Sequence, residues 1–135
     1  MPVAGIDHVN IRTSDPALTI AFYRDVLGMT FSDIMGTGQE SKGGWMLDEA
    51  GRAAIHVGHS DLPYPSDGTA PWQPASGSGS VHHVALACED RVAMTARLTE
   101  HGCAMAENRV PQVALVQLFV TDPTGILIEL NFYEP

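Results

Sequence analysis

This sequence repeats itself, and no other feature limits its possible folds as tightly. The segment Ile6-Asp7-His8-Val9-Asn10-Ile11 overlays Val81-His82-His83-Val84-Ala85-Leu86 at a shift of 75 residues, and the same shift carries Asp15 onto Asp90. The pair Asp48-x-x-Gly51 overlays Asp122-x-x-Gly125 at a shift of 74, and Ile55-His56-Val57 overlays Ile128-Glu129-Leu130 at a shift of 73. Single-residue changes in loop length produce such a drift. A chain of 135 residues fits one compact domain, so two copies of one unit must share it.

Hydrophobic periodicity defines the unit. Ile6 to Thr13 reads as a strand, and Ser14-Asp15-Pro16 starts a helix with a capping side chain and proline in the first turn. That helix should run to Leu27, with Ala17, Leu18, Ala21, Phe22 and Leu27 as its apolar face and Gly28 as its stop. Strands are expected at about 29–35, 44–48 and 53–58, with a glycine-rich loop from Gly36 to Gly44 and a turn at Asp48 to Gly51. The second half predicts the same order: a strand from Val81 to Cys88, a cap at Glu89 or Asp90, a helix to His101, a stop at Gly102, and strands near 103–107, 113–120 and 126–133.

The expectation is an α+β protein, a single domain over residues 1–135. It comprises two βαβββ modules at about 5–58 and 81–133, with curved mixed sheets and the helices on their outer face. The Pro, Gly and Ser-rich stretch from His59 to Ser80 reads as the linker between modules. Its aromatics, Tyr64 and Trp72, suit either a lid over a site or loose packing on the outer surface.

Charge narrows the partners. Sixteen Asp and Glu against seven Lys and Arg give a net charge of −9, which repels nucleic acid and anionic membrane surfaces. Neither is expected as a partner. Cys88 and Cys103 lack metal-finger spacing, and no signal-peptide pattern or stretch of about 18 apolar residues occurs. A cytoplasmic protein acting on a small molecule is expected.

Strand side chains alternate between faces. His8 therefore shares a face with Asn10 and Arg12, His83 with Ala85 and Ala87, and Glu129 with Leu127 and Asn131, while His56 lies between Ile55 and Val57. Each chemically distinctive residue falls on the face opposite the helix. Singly, His8 and His83 would read as hydrogen-bonded strand histidines and Glu129 as a rim carboxylate. In register across a repeat, two imidazoles and one carboxylate form a donor set suited to one divalent Fe, Mn, Ni, Co or Zn ion with coordination positions left open. A metal also accounts for a glutamate in a strand that otherwise reads as core. His82 reads as an edge residue and His101 as a cation at a helix C-terminus, while His59 at the linker entrance is uninformative.

The two modules, the opening Ile6-Asp7-His8-Val9, the run Ala21-Phe22-Tyr23-x-x-Val26-Leu27-Gly28-Met29 and the closing Asp122-Pro123-x-Gly125-x-x-x-Glu129-Leu130 resemble the vicinal-oxygen-chelate superfamily. That group includes glyoxalase I, methylmalonyl-CoA epimerase, fosfomycin-resistance transferases, extradiol dioxygenases and the metal-free bleomycin-resistance binders. The resemblance implies metal ligands at His8, His83 and Glu129, with His56 fourth, and a homodimer whose sites lie within a chain or across two. His56 departs from glyoxalase I and the epimerase, which carry a carboxylate there; a histidine leaves the ion more positive or serves as a general base.

Extradiol dioxygenases are less similar, because their acid–base His and Tyr fall at Gln112 and Phe119. The transferases need a cationic cradle, for which only Arg12 faces the ligands. The expected function is a metal-dependent lyase or isomerase of the glyoxalase-like type acting on a small substrate with two adjacent oxygens. Glu129 or His56 would be its base, and Asn10, Arg12 and Asn131 would orient the substrate or make structural bonds. An extradiol-type dioxygenase and a non-catalytic, resistance-type binding protein are the alternatives.

Overall fold

A computed structural model describes residues 2–33, 39–70, 77 and 79–134. The chain divides into two compact units, Met1–Pro74 and Ala75–Pro135, and each repeats the βαβββ order. The first contains β1 (Val9–Thr13), α1 (Pro16–Ala21), β2 (Thr30–Ser32), β3 (Gly43–Leu47) and β4 (Ala53–His59). The second contains β5 (Val84–Ala87), α2 (Arg91–Glu100), β6 (Ala106–Val110), β7 (Leu115–Thr121) and β8 (Leu127–Tyr133). Their sheets have equivalent orders, β1-β4-β3-β2 and β5-β8-β7-β6. In each, the first strand pairs parallel with the last and the other pairings are antiparallel. A parallel pair needs a long crossover, and the helix and two intervening strands supply it.

Local chemistry sets the ends of these elements as expected. The Asp15 carboxylate accepts the Leu18 N–H at 3.1 Å and that of Asp90 accepts the Ala93 N–H at 3.0 Å, so each caps its helix. Both hairpin turns close alike. Asp48 N–H donates to Arg52 O and Gly51 N–H to Asp48 O, each at 2.9 Å; Asp122 N–H donates to Ile126 O at 2.9 Å and Gly125 N–H to Asp122 O at 3.0 Å. Gly51 and Gly125 take φ of +80° and +90°, a conformation glycine adopts without a Cβ clash.

Three departures have physical causes. The predicted strands from Ile6 and Val81 begin at Val9 and Val84, where pairing with Ile55 and Ile128 starts. Ile6 and Val81, without a ladder partner, are 93 % and 58 % exposed. The helix predicted to Leu27 becomes a π-helical turn over Phe22–Val26, in which the Leu27 N–H reaches back five residues to Phe22 O at 3.1 Å. The wider turn buries the consecutive rings of Phe22 and Tyr23, packed edge to face. Finally, β6 begins at Ala106 rather than 103, after the stop at Gly102. Trp72 and part of the 36–44 loop lie outside the described residues.

Ile55 and Val57 on β4, and Ile128, Leu130 and Phe132 on β8, are buried on one side of each sheet. α1 packs over β1, β3 and β4, while α2 buries Met94 and Leu98. Each fully buried aliphatic side chain contributes roughly 1.5–3 kcal/mol to folding. The alternate residues His56, Glu129 and Asn131 are only partly buried, on the opposite faces. Among the described residues no helix is long and apolar enough to cross a membrane.

Candidate metal centre

In the first unit, strand register places Asn10, His56 and Trp45 in one row across β1, β4 and β3. The Asn10 amide nitrogen lies 3.0 Å from His56 Nδ1, and the Trp45 indole stacks on the His56 ring at 4.2 Å. A bond at one edge and a ring on one face fix the imidazole plane. Burial holds His56 below its ordinary histidine value, and the nearby His8 and Arg12 charges push the same way. With the Asn10 N–H donating, the neutral ring carries its proton on Nε2; turning the amide by 180° moves that proton to Nδ1.

His8 stands just before β1. Its Nδ1 is 2.6 Å from Asp7 Oδ1, an arrangement that puts the ring proton on Nδ1 and leaves the Nε2 lone pair available. Its ring meets Trp45 edge-on at 4.9 Å and lies 6.3 Å from the His56 ring. Arg12 is placed differently: it lies across Gly58, where a Cβ would come within 3.1 Å of its Nη1, donates to the Leu62 carbonyl and covers the Tyr64 ring at 5.4 Å. It therefore holds the segment after β4.

In the second unit, Ala85 pairs with Glu129, and His83, two residues earlier, brings its Nε2 to 3.7 Å from Glu129 Oε1. The Glu129 side chain is 12 % exposed. Its other oxygen, Oε2, accepts the Asn131 amide N–H at 2.9 Å. His82 packs edge-on to His83 with the two Nδ1 atoms 2.9 Å apart. Phe119 opposes Glu129 on β7.

The predicted ligands thus form two pairs, His8 with His56 and His83 with Glu129, one in each unit. Among the described residues no three His, Cys, Asp or Glu side chains gather into a metal-binding group. The donor chemistry of His8 and of the His83–Glu129 pair nevertheless suits a divalent ion. His8 has the carboxylate-backed imidazole common to metal-bound histidines. The 3.7 Å separation of His83 Nε2 and Glu129 Oε1 is too long for a hydrogen bond and near the spacing of two donors each about 2.1 Å from a shared ion.

Asn10 and Asn131, predicted to orient substrate, are bonded to His56 and Glu129 in this structure. Sequence reasoning missed Trp45 and Gln117. Alternation was the available signal, because Met46 is buried on β3 and Val116 and Leu118 on β7, which turns their neighbours to the polar face.

The family model described as the Glyoxalase/Bleomycin resistance protein/Dioxygenase superfamily matches residues 5–130. An uncharacterised protein of Escherichia coli K12, YaeR, is 28 % identical over 126 residues, with 93 % of each chain covered. Among solved structures, an integron cassette protein from the mobile metagenome of V. cholerae superposes with a TM-score of 0.71 at 18 % identity, covering 99 % of this chain and 98 % of that one. A lactoylglutathione lyase from Agrobacterium tumefaciens superposes with a TM-score of 0.68 at 16 % identity, covering 97 % and 95 %. At such identities these structures establish the fold.

Proposed function

This chain belongs to the Glyoxalase/Bleomycin resistance protein/Dioxygenase superfamily, and from that premise we propose that it is a metal-dependent lyase or isomerase acting on a small substrate with two adjacent oxygens. The superfamily contains lyases and dioxygenases as well as non-catalytic members, and its members generally bind a divalent metal. The pairing of His83 with Glu129 at 3.7 Å carries the reading, supported by His8 with its Nε2 free. His8, His83 and Glu129, drawn from one chain or from two, would hold one Fe, Mn, Ni, Co or Zn ion, with His56 as a fourth ligand or as the base. When bound, such an ion polarises a substrate carbonyl and stabilises negative charge developing on its oxygen.

The protein's own groups supply proton handling and orientation. Burial holds His56 below its ordinary histidine value. With the Asn10 amide turned so that its oxygen accepts the Nδ1 N–H, Nε2 is left unprotonated to accept a proton, in a ring whose plane is fixed by Trp45 and Asn10. Glu129 is the other candidate base, in a role that competes with ligation. Asn131 keeps a second amide hydrogen for substrate, Asn10 in that orientation keeps both of its own, and Arg12 would reach substrate only on leaving Leu62. We further propose a homodimer in a reducing cytoplasm, consistent with the two free cysteines.

Elemental analysis of protein purified without chelator tests the metal. About one divalent ion per chain is expected, with affinity lost in His8→Ala and Glu129→Ala. An empty site, with affinity unchanged in both variants, would favour a non-catalytic binding protein. Light scattering that showed only 14.4 kDa particles at micromolar concentration would refute the dimer.

A further inference from the structure

Three amide side chains form one row across the second sheet. Asn108 on β6 opposes Gln117 on β7, which opposes Asn131 on β8. They are bonded end to end: Asn108 Nδ2 donates to Gln117 Oε1 at 2.8 Å, Gln117 Nε2 to Asn131 Oδ1 at 3.3 Å, and Asn131 Nδ2 to Glu129 Oε2 at 2.9 Å. Every donor points the same way, and the row ends on a carboxylate whose remaining oxygen faces His83.

An amide does not ionise at working pH, so this row is no proton wire. Its effect is polarity. Each primary amide offers an acceptor at one end and a donor at the other, so the orientation of one member dictates that of the next. The Gln117 N–H on Asn131 Oδ1 requires Asn131 to turn its nitrogen, not its oxygen, toward Glu129. Reversed, Asn131 would set an oxygen against a carboxylate oxygen, and Glu129 would have to rotate away. Successive bonds also polarise one another, strengthening the last.

We infer that Gln117, backed by Asn108, is a positioning residue that orients Asn131 and so holds Glu129 with Oε1 presented on the His83 side for a divalent cation. This rests on Glu129 being a metal ligand, as proposed above. Partners that orient a ligand from behind typically change metal affinity 10–100-fold when removed.

The test is calorimetric titration of Zn(II) into chelator-stripped protein. Gln117→Leu, similar in size but unable to bond, should weaken binding by about 10–100-fold. Gln117→Glu, which can only accept, should weaken it further by demanding the reversed Asn131, and Asn108→Ala should have a smaller effect. Thermal midpoints of the stripped variants separate this from general unfolding. Unchanged affinity in both folded Gln117 variants would overturn the inference.

If the parent protein takes up no divalent ion, the metal reading and the positioning role for a cation both fail, and the side-chain amide NMR signals of Asn131 then decide whether the row itself exists. Dispersed signals that move in both Gln117→Leu and Glu129→Gln support it. Signals of a freely exposed amide refute it.

Discussion

The indole of Trp45 lies flat on the imidazole of His56, with ring centroids 4.2 Å apart and planes inclined by 7°. The two residues are direct cross-strand partners on β3 and β4, so backbone register brings the rings together and stacking then fixes the orientation of His56. A ring pair of this kind contributes about 0.5–1.5 kcal/mol beyond its buried area. A double-mutant cycle on Trp45→Leu and His56→Ala should recover a coupling in that range by urea denaturation. Trp45→Phe should keep most of the stability, because it keeps an aromatic face. A coupling below about 0.3 kcal/mol, within ordinary additivity error, would show that the stack does not hold the ring.

The turn aspartates of the two modules make a second comparison. Asp122 is 4 % exposed, and its Oδ1 accepts the Thr124 N–H at 2.8 Å, the Thr124 hydroxyl at 2.7 Å and the Ile126 N–H at 3.0 Å. Asp48 accepts the Arg52 N–H at 2.9 Å and its Nε at 2.8 Å from a more open position. Asp122→Ala strands two backbone donors and should cost about 2–4 kcal/mol in chemical denaturation. Asp48→Ala should cost measurably less. The backbone N–H of Arg52 holds the Asp48 carboxyl below its ordinary range, with the Arg52 side chain adding to the shift. That stabilising contribution is present at neutral pH and fades only as pH falls through the lowered value.

Those turns were legible in the sequence because an aspartate followed by a glycine three residues later is local chemistry. The same holds for the caps at Asp15 and Asp90 and for the alternation that put His56 and Glu129 opposite the buried residues. What could not be read was set by distant partners. Ile6 and Val81 have strand character, yet their pairing depends on where β4 and β8 begin. The π turn at Phe22 answers to the space available for two rings. Trp45 and Gln117 sit beside His56 and Asn131 only through cross-strand register, and a register shift between Met46 and Leu47 disturbs any count outward from the β3–β4 turn. Residues with distinctive chemistry could be picked out one by one, whereas the neighbours that orient them could not.

Cys88 offers a prediction about pH. Burial pushes its thiol from the ordinary 9.0 up to about 11, against an opposing effect of the Asn131 backbone bond. The folded state therefore keeps a proton that the unfolded chain releases more readily. Stability should fall as pH rises from the unfolded thiol value toward about 11, and Cys88→Ser should remove this loss. At pH 8 the small thiolate fraction should make Cys88 react with iodoacetamide roughly a hundredfold slower than a free model thiol. Peptide mapping after timed alkylation reads this directly, and a rate equal to that of glutathione would contradict the burial.

Oxygen separates the proposed reaction from ring cleavage. Proton transfer next to a carbonyl needs a base and charge stabilisation but no change in oxidation state, whereas catechol cleavage consumes O₂ and needs a redox-active ion. Phe119 opposes Glu129 on β7, so no phenol is available there to handle a proton. Stripped protein reconstituted anaerobically with Zn(II), Ni(II), Co(II), Mn(II) or Fe(II) should be offered α-hydroxycarbonyl, acyl-thioester and catechol substrates with an oxygen electrode in place. Turnover without oxygen uptake is expected, supported by at least one redox-inert ion. It should be reduced more by His56→Ala than by Arg12→Ala, because His56 is the proposed base and Arg12 is engaged with Leu62. Removing a general base should lower kcat by about 10²–10⁴-fold. Activity only with Fe(II), with one O₂ consumed per catechol, would replace the lyase or isomerase reading with a dioxygenase.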